Sequence, residues 1–151
     1  MKNFFFITLF LGSFLNAQSY YKKISEKNIN TERQTISKNF ILDFLKKCED
    51  KNYSKFEKYN IAKKFEMFLD EKLESICKKN DEELGKIELL DFDSAHLNKY
   101  SINKDPYELF VFNAKTEKNP DLKYISVWIY QDQNYLSGLV ITKEKPFKSK
   151  K

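Results

Sequence analysis

The sequence predicts an α+β domain in which helices come first and an antiparallel sheet of about four strands follows. Three observations carry this. In the first half of the chain, apolar residues recur at spacings of three and four, the period of a helix buried along one face. After Gly85 the period changes to alternation, as in a strand with two unlike faces. The alternating segments are separated by short polar turns with no helix between them. Neighbouring strands therefore run antiparallel, and the helices collect on one face of a curved sheet.

Residues 1–17 precede this domain and read as a secretory leader. Met1-Lys2 gives a positive start, Phe4 to Leu11 is an apolar run extended by Phe14-Leu15, and Ala17 offers a small residue for cleavage before Gln18. The run falls short of the ~20 apolar residues that span a bilayer, which argues against a membrane anchor. The mature chain is then expected outside the cytoplasm, in a periplasmic or extracellular setting. Residues 18–34 are polar, with Tyr20-Tyr21 as their bulky pair, and read as a linker or loosely docked arm.

From Thr31 a helical stripe begins. Ile36, Phe40, Ile41, Phe44, Leu45 and Cys48 share a face, and Asp50-Lys51-Asn52 ends it. Ser54-x-x-Glu57 has the form of a capping box and predicts a short second helix with Phe56 and Tyr59 inside. A longer helix is expected over Ala62 to Leu84, with a break near Asp70. Its stripe is Phe65, Phe68, Leu69, Leu73, Ile76 and Cys77, and Gly85 terminates it. Strands are expected at Ile87–Phe92, with a bulge at Leu89-Leu90, then at Tyr107–Ala114, Leu122–Tyr130 and Tyr135–Thr142. The polar, irregular stretch Asp93 to Asp105 lies between the first two, with a short strand around His96 as one option. Pro146 closes the ordered domain, assigned to residues 35–146, and residues 147–151 form a basic tail expected to be frayed and solvated.

The chain has 151 residues and a net charge of +5, one lysine of which belongs to the leader. Most lysines are interspersed with acids, so the charge reads as solubility rather than as a surface for an anionic partner such as a membrane or an acidic polysaccharide. The two cysteines, Cys48 and Cys77, permit one disulfide in an exported chain. Each also sits on an apolar stripe, where a free cysteine behaves as a small hydrophobe, and the spacing leaves both readings open.

Several segments resemble the nuclear-transport-factor-2-like superfamily, the cone-shaped α+β fold shared with ketosteroid isomerases, and in particular its small exported bacterial members of unassigned function. These are the helix Phe40-Ile41-Leu42-Asp43-Phe44-Leu45, the turn Asn52-Tyr53-Ser54-Lys55-Phe56, the junction Glu83-Leu84-Gly85-Lys86-Ile87, and the hairpin Asn134 to Ile141 followed by Pro146. The resemblance implies helices closing a cavity over a curved sheet. Tyr107, Phe110, Phe112, Tyr124 and Trp128 are the candidates to line such a cavity, joined by Tyr130 and Tyr135. The alternative is that these rings fill the core.

Catalytic chemistry finds little support. Isomerase-type catalysis needs a base beside donors for an enolate, and Asp91, Asp93 and Tyr107 qualify by residue type alone. His96, the one histidine, sits in a polar stretch with no evident partner, and is expected to be at least partly exposed and dispensable. One histidine and two cysteines on separate helices make no zinc pattern, and there is no nucleophile elbow or glycine-rich phosphate loop. No catalytic residue, metal or cofactor is therefore assigned. The expected function is a non-enzymatic exported module that binds a small apolar ligand or a protein partner, with a sheet-to-sheet homodimer as one arrangement. No nucleic-acid partner and no membrane span after leader removal are expected. The alternative is an isomerase- or hydrolase-like enzyme using the cone cavity, and a third reading is a basic surface binder using the lysine tail.

Overall fold

A computed structural model describes residues 21–98 and 105–147. The leader, Gln18 to Tyr20 and the last four residues of the basic tail lie outside the described residues. Two helices, α1 (Thr31–Glu49) and α2 (Lys63–Leu84), pack on one face of a five-stranded antiparallel sheet. Its strands are β1 (Tyr21–Lys23), β2 (Ile87–Asn98), β3 (Tyr107–Thr116), β4 (Tyr124–Tyr130) and β5 (Leu136–Thr142), ordered in space as in sequence. The α+β reading holds, with one strand more than the pattern predicted.

The added strand comes from the segment expected to be a linker. Tyr21, Lys22 and Lys23 pair with Asn98, Leu97 and His96, and the Ile24 amide donates to the Ala95 carbonyl at 2.8 Å. Three residues carry too little pattern to show this in sequence. A 3₁₀ turn at Glu26–Asn28 then leads to Asn30, whose side chain caps α1 by accepting from the Arg33 amide at 2.9 Å.

α1 buries Ser37, Phe40, Ile41 and Phe44, and α2 buries Phe65, Leu69, Leu73, Cys77, Asn80 and Leu84, so both stripes face inward as the spacing requires. α2 runs without the break expected near Asp70, whose carboxylate instead takes Lys55 at 2.8 Å. No helix follows Ser54. The Ser54 hydroxyl accepts from Lys47 Nζ at 2.7 Å, and Phe56 and Tyr59 fold down onto Phe40, with ring centroids 5.1 and 5.3 Å away. Aromatic burial overrides the local cap signal.

Gly85 ends α2 at φ 64°, ψ −143°, a conformation that costs a residue with a Cβ dearly. Its position also matters sterically, because a Cβ there would lie 2.7 Å from Glu117 Oε2.

Cys48 and Cys77 form a disulfide between the helices, with Cα atoms 4.9 Å apart. Cys77 is buried and Cys48 partly so. Among the described residues no helix is long and apolar enough to cross a membrane.

The sheet has two unlike faces. Ala95, Phe110, Phe112, Ile125, Val127, Ile129, Leu139 and Ile141 face the helices and complete the core. Ser94, Val111, Ser126 and Val140 are partners in a row across the opposite face, as are His96, Leu109, Trp128 and Gly138 in the next. Gly138 makes room there for an indole. A Cβ at this position would sit 3.3 Å from the Trp128 ring.

Candidate functional site

The five rings proposed to line one cavity are divided by the sheet. Phe110 and Phe112 are fully enclosed in the core, against the helices. Tyr107, Tyr124 and Trp128 are half-buried on the opposite face. Alternation in β3 and β4 forces this, since neighbours in a strand point to opposite sides. The space between helices and sheet is filled by Phe40, Phe44, Phe65, Phe110 and Phe112. Phe110 and Phe112 belong to that packed core, and the lining of the two main pockets includes none of the five rings.

The larger pocket lies outside the core, along one flank of α1. It encloses about 570 Å³ and is lined by Glu32, Ile36, Asn39 and Asp43 of α1, by Lys58, Tyr59 and Asn60 of the α1–α2 connection, and by Asn134 of the β4–β5 turn, with Leu42 at its rim. Glu32, Ile36, Asn39 and Asp43 recur at four, three and four residues, so they form one stripe roughly 16 Å long. This stripe flanks the core stripe of the same helix, and Ile36 also packs against the core.

Asp43 fixes the wall of this groove. Its Oδ2 accepts from the Tyr59 hydroxyl and pairs with Lys58 Nζ at 2.7 Å, leaving Oδ1 for the groove. Partial burial works against the charged form, but the bonds from Lys58 and Tyr59 prevail and hold the carboxyl below its usual range. Burial first, then the adjacent Asp43, push the Tyr59 hydroxyl upward, so it stays protonated and donating. The groove therefore offers one committed carboxylate, a second in Glu32, three amides and an aromatic edge.

A second cluster sits on the opposite face of the sheet and holds the residues that resemble a hydrolytic set. In β2 the register shifts between Phe92 and Ser94, so Asp93 is the extra residue of a bulge, displaced from regular pairing. The Ser94 hydroxyl donates to Asp93 Oδ2, and His96 Nε2 lies 3.0 Å from Ser94 Oγ. With the single Ser94 proton on Asp93, the bond to His96 requires the imidazole to donate from Nε2. The order is thus Asp–Ser–His. A nucleophilic serine needs the histidine between the two, free to take the serine proton. This arrangement cannot perform that step.

His96 is buried, at 6% exposure, contrary to the expectation of a partly exposed position. The ring of Phe147 covers it at 3.9 Å between centroids. Desolvation, reinforced by Lys145 and Lys23 and opposed by Asp93, lowers its pKa from 6.5 to about 4. Asp93 in turn pairs with Lys145 Nζ at 2.6 Å. That pair and the Ser94 bond outweigh the effect of burial and hold Asp93 below its usual range. Lys145 and Phe147 are therefore docked, where the sequence suggested a solvated end.

The remaining isomerase candidates do not converge. Asp91 is exposed and takes Asn113 Nδ2 at 3.2 Å, while the Tyr107 hydroxyl accepts from Asn98 Nδ2 at 2.8 Å. Among the described residues no three His, Cys, Asp or Glu side chains gather where they could hold a metal ion.

The residues that sequence reasoning missed are Lys145 and Phe147 and the groove side of α1. A signal existed for the first, because Phe147 is an aromatic within an otherwise basic tail. The groove gave no signal, since a polar stripe on a helix looks like any solvated face.

The architecture, two N-terminal helices followed by a five-stranded antiparallel sheet, is compatible with the nuclear-transport-factor-2-like arrangement. No protein-family model, curated protein or solved structure matches the chain.

Proposed function

We propose that the chain is an exported, non-enzymatic binding module of the nuclear-transport-factor-2-like kind, which engages a protein partner through the α1 groove. The groove itself carries this reading. Phe40, Phe44, Phe65, Phe110 and Phe112 fill much of the space beneath the helices, and one flank of α1 presents a 570 Å³ concavity rich in hydrogen-bonding groups. Tyr59 and Asp43 lock one wall, and the Cys48–Cys77 link ties α1 to α2, so the surface is preorganised and loses little freedom on binding. The apolar leader supports export, and the disulfide is of the sort that persists in oxidising compartments.

Asn39→Arg tests the groove, because Asn39 is exposed and a larger side chain there fills the concavity without touching the core. A partner recovered with the wild-type chain and identified by mass spectrometry should lose at least tenfold in affinity for this variant by calorimetry. Equal affinity would remove the groove from the function.

The Asp93–Ser94–His96 order argues against the hydrolase-like alternative, and an ester assay tests it directly. Wild-type chain is expected to leave activated esters intact. Turnover that disappears in Ser94→Ala would favour the enzyme.

A further inference from the structure

The chain's last described residues are held to the sheet in a manner usually seen for a bound peptide. Residues 143–147 adopt no helix or strand. Their anchors are side chains at alternate positions: Lys143 to Asp121 at 3.3 Å, Lys145 to Asp93 at 2.6 Å, and Phe147 against two rings. Bends at 143–144 and 146–147 bring these three side chains onto the sheet. Pro146 fixes its own φ and disfavours helix at Lys145.

The receiving surface is built for these two side chains. The Asp93 carboxylate stands in a bulge of β2, and the Tyr124 ring lies 5.6 Å from the same ammonium. Phe147 enters a cleft between His96, at 3.9 Å, and Tyr21, at 5.4 Å. Both walls are themselves braced: His96 by Ser94 at 3.0 Å, and Tyr21 by Trp128, whose indole N–H donates to the Tyr21 hydroxyl at 2.8 Å. The cleft therefore reads a positive charge and, two residues on, an aromatic ring.

We propose that this face is a docking site for a peptide of the form Lys-x-aromatic, and that Lys145-Pro146-Phe147 occupies it in cis as a built-in competitor. A partner segment of the same chemistry enters when it displaces the strap. The site is distinct from the α1 groove and lies on the other face of the sheet.

The test uses the full chain carrying Lys145→Ala and Phe147→Ala, which empties the site. The probe is a fluorescent synthetic peptide of residues 142–151, followed by anisotropy. A tethered tail acts at about millimolar effective concentration, so it weakens a free peptide of about 100 μM affinity by about tenfold. The double variant should accordingly bind the peptide at least tenfold tighter than wild type. Binding should vanish when the peptide carries Phe147→Ala, and when Asp93→Asn is added to the protein. A folded double variant that ignores the peptide, or binding unchanged by both of those substitutions, would overturn the proposal. If the double variant does not fold, Phe147→Ala alone, which retains the Lys145 anchor, takes its place with the same criteria. Asn39→Arg should leave peptide binding unaltered, so failure here and failure of the groove are separable.

Discussion

The two faces of the sheet are made in opposite ways. The helix-facing side is apolar almost throughout, and its rings meet the stripes of α1 and α2. One charged group intrudes, Glu108, at the end of the face. It is 3% exposed and answered by Arg33 at 2.7 and 3.1 Å and by Gln131 Nε2 at 2.7 Å. The opposite side is held by a chain of polar contacts, Lys145–Asp93–Ser94–His96, under one ring. Buried apolar area stabilises both faces, with Leu109, Val111 and Val140 enclosed on the second, and the polar chain there adds specific contacts to the strap. The comparison teaches where the molecule tolerates change: a face held by side-chain pairs can be opened without dissolving the fold, and a packed core cannot.

The largest expected effect lies in the core. Phe110→Ala should cost about 4 kcal/mol in denaturant unfolding, from lost transfer energy and the cavity left behind. Phe147→Ala should cost about 1 kcal/mol, since its ring is half-buried and leaves no sealed void. Equal costs would mean that the strap is part of the core and would break the comparison.

Next comes the link across the helices. The disulfide joins residues 29 apart in sequence, and closing such a loop restricts the unfolded chain by about 3.5 kcal/mol on the chain-entropy account. The Cys48→Ser, Cys77→Ser double variant should lose about that much stability. An unchanged melting temperature would show that packing alone fixes the helices.

The third effect is a pH dependence confined to the strap face. His96 is neutral in the fold, with a pKa of about 4 against an ordinary 6.5. The unfolded chain takes up a proton below about pH 6.5 and the folded chain does not. Stability is therefore full above 6.5 and drains as the pH falls towards 4. Lys145 and Lys23 oppose the proton and Asp93 favours it, so the strap is the element placed to respond. His96→Gln should flatten the urea stability profile between pH 4 and 6.5. A profile identical to wild type would sever His96 from the acid response.

Much of the helix side was legible because it is periodic. Phe40, Phe44, Phe65, Leu69 and Leu73 announce both helices, and alternation in Tyr107 to Phe112 separates the two sides of β3. What stayed hidden depends on partners distant in sequence. Tyr21 becomes a strand residue because Asn98 lies opposite, and Cys48 finds Cys77 because the helices cross there. His96 shows a third kind of miss. The run Ser94-Ala95-His96-Leu97-Asn98 does alternate and allowed a short strand, but its outward members are polar, so its continuity with β2 and the burial of His96 did not show. At Ser54 the opposite error occurred: a clear local cap was overruled by burial of Phe56 and Tyr59 against Phe40.

One contact on the strap face has a consequence for topology. Tyr21 and Phe147 stand 5.4 Å apart between ring centroids, so the fold nearly closes on itself like a ring. The order in which the chain visits its elements is then separable from their arrangement. A circularly permuted chain, with residues 21 and 147 joined by a short glycine-rich bridge and new ends opened in the exposed turn at Lys118 to Asp121, would traverse the same sheet from a different starting point.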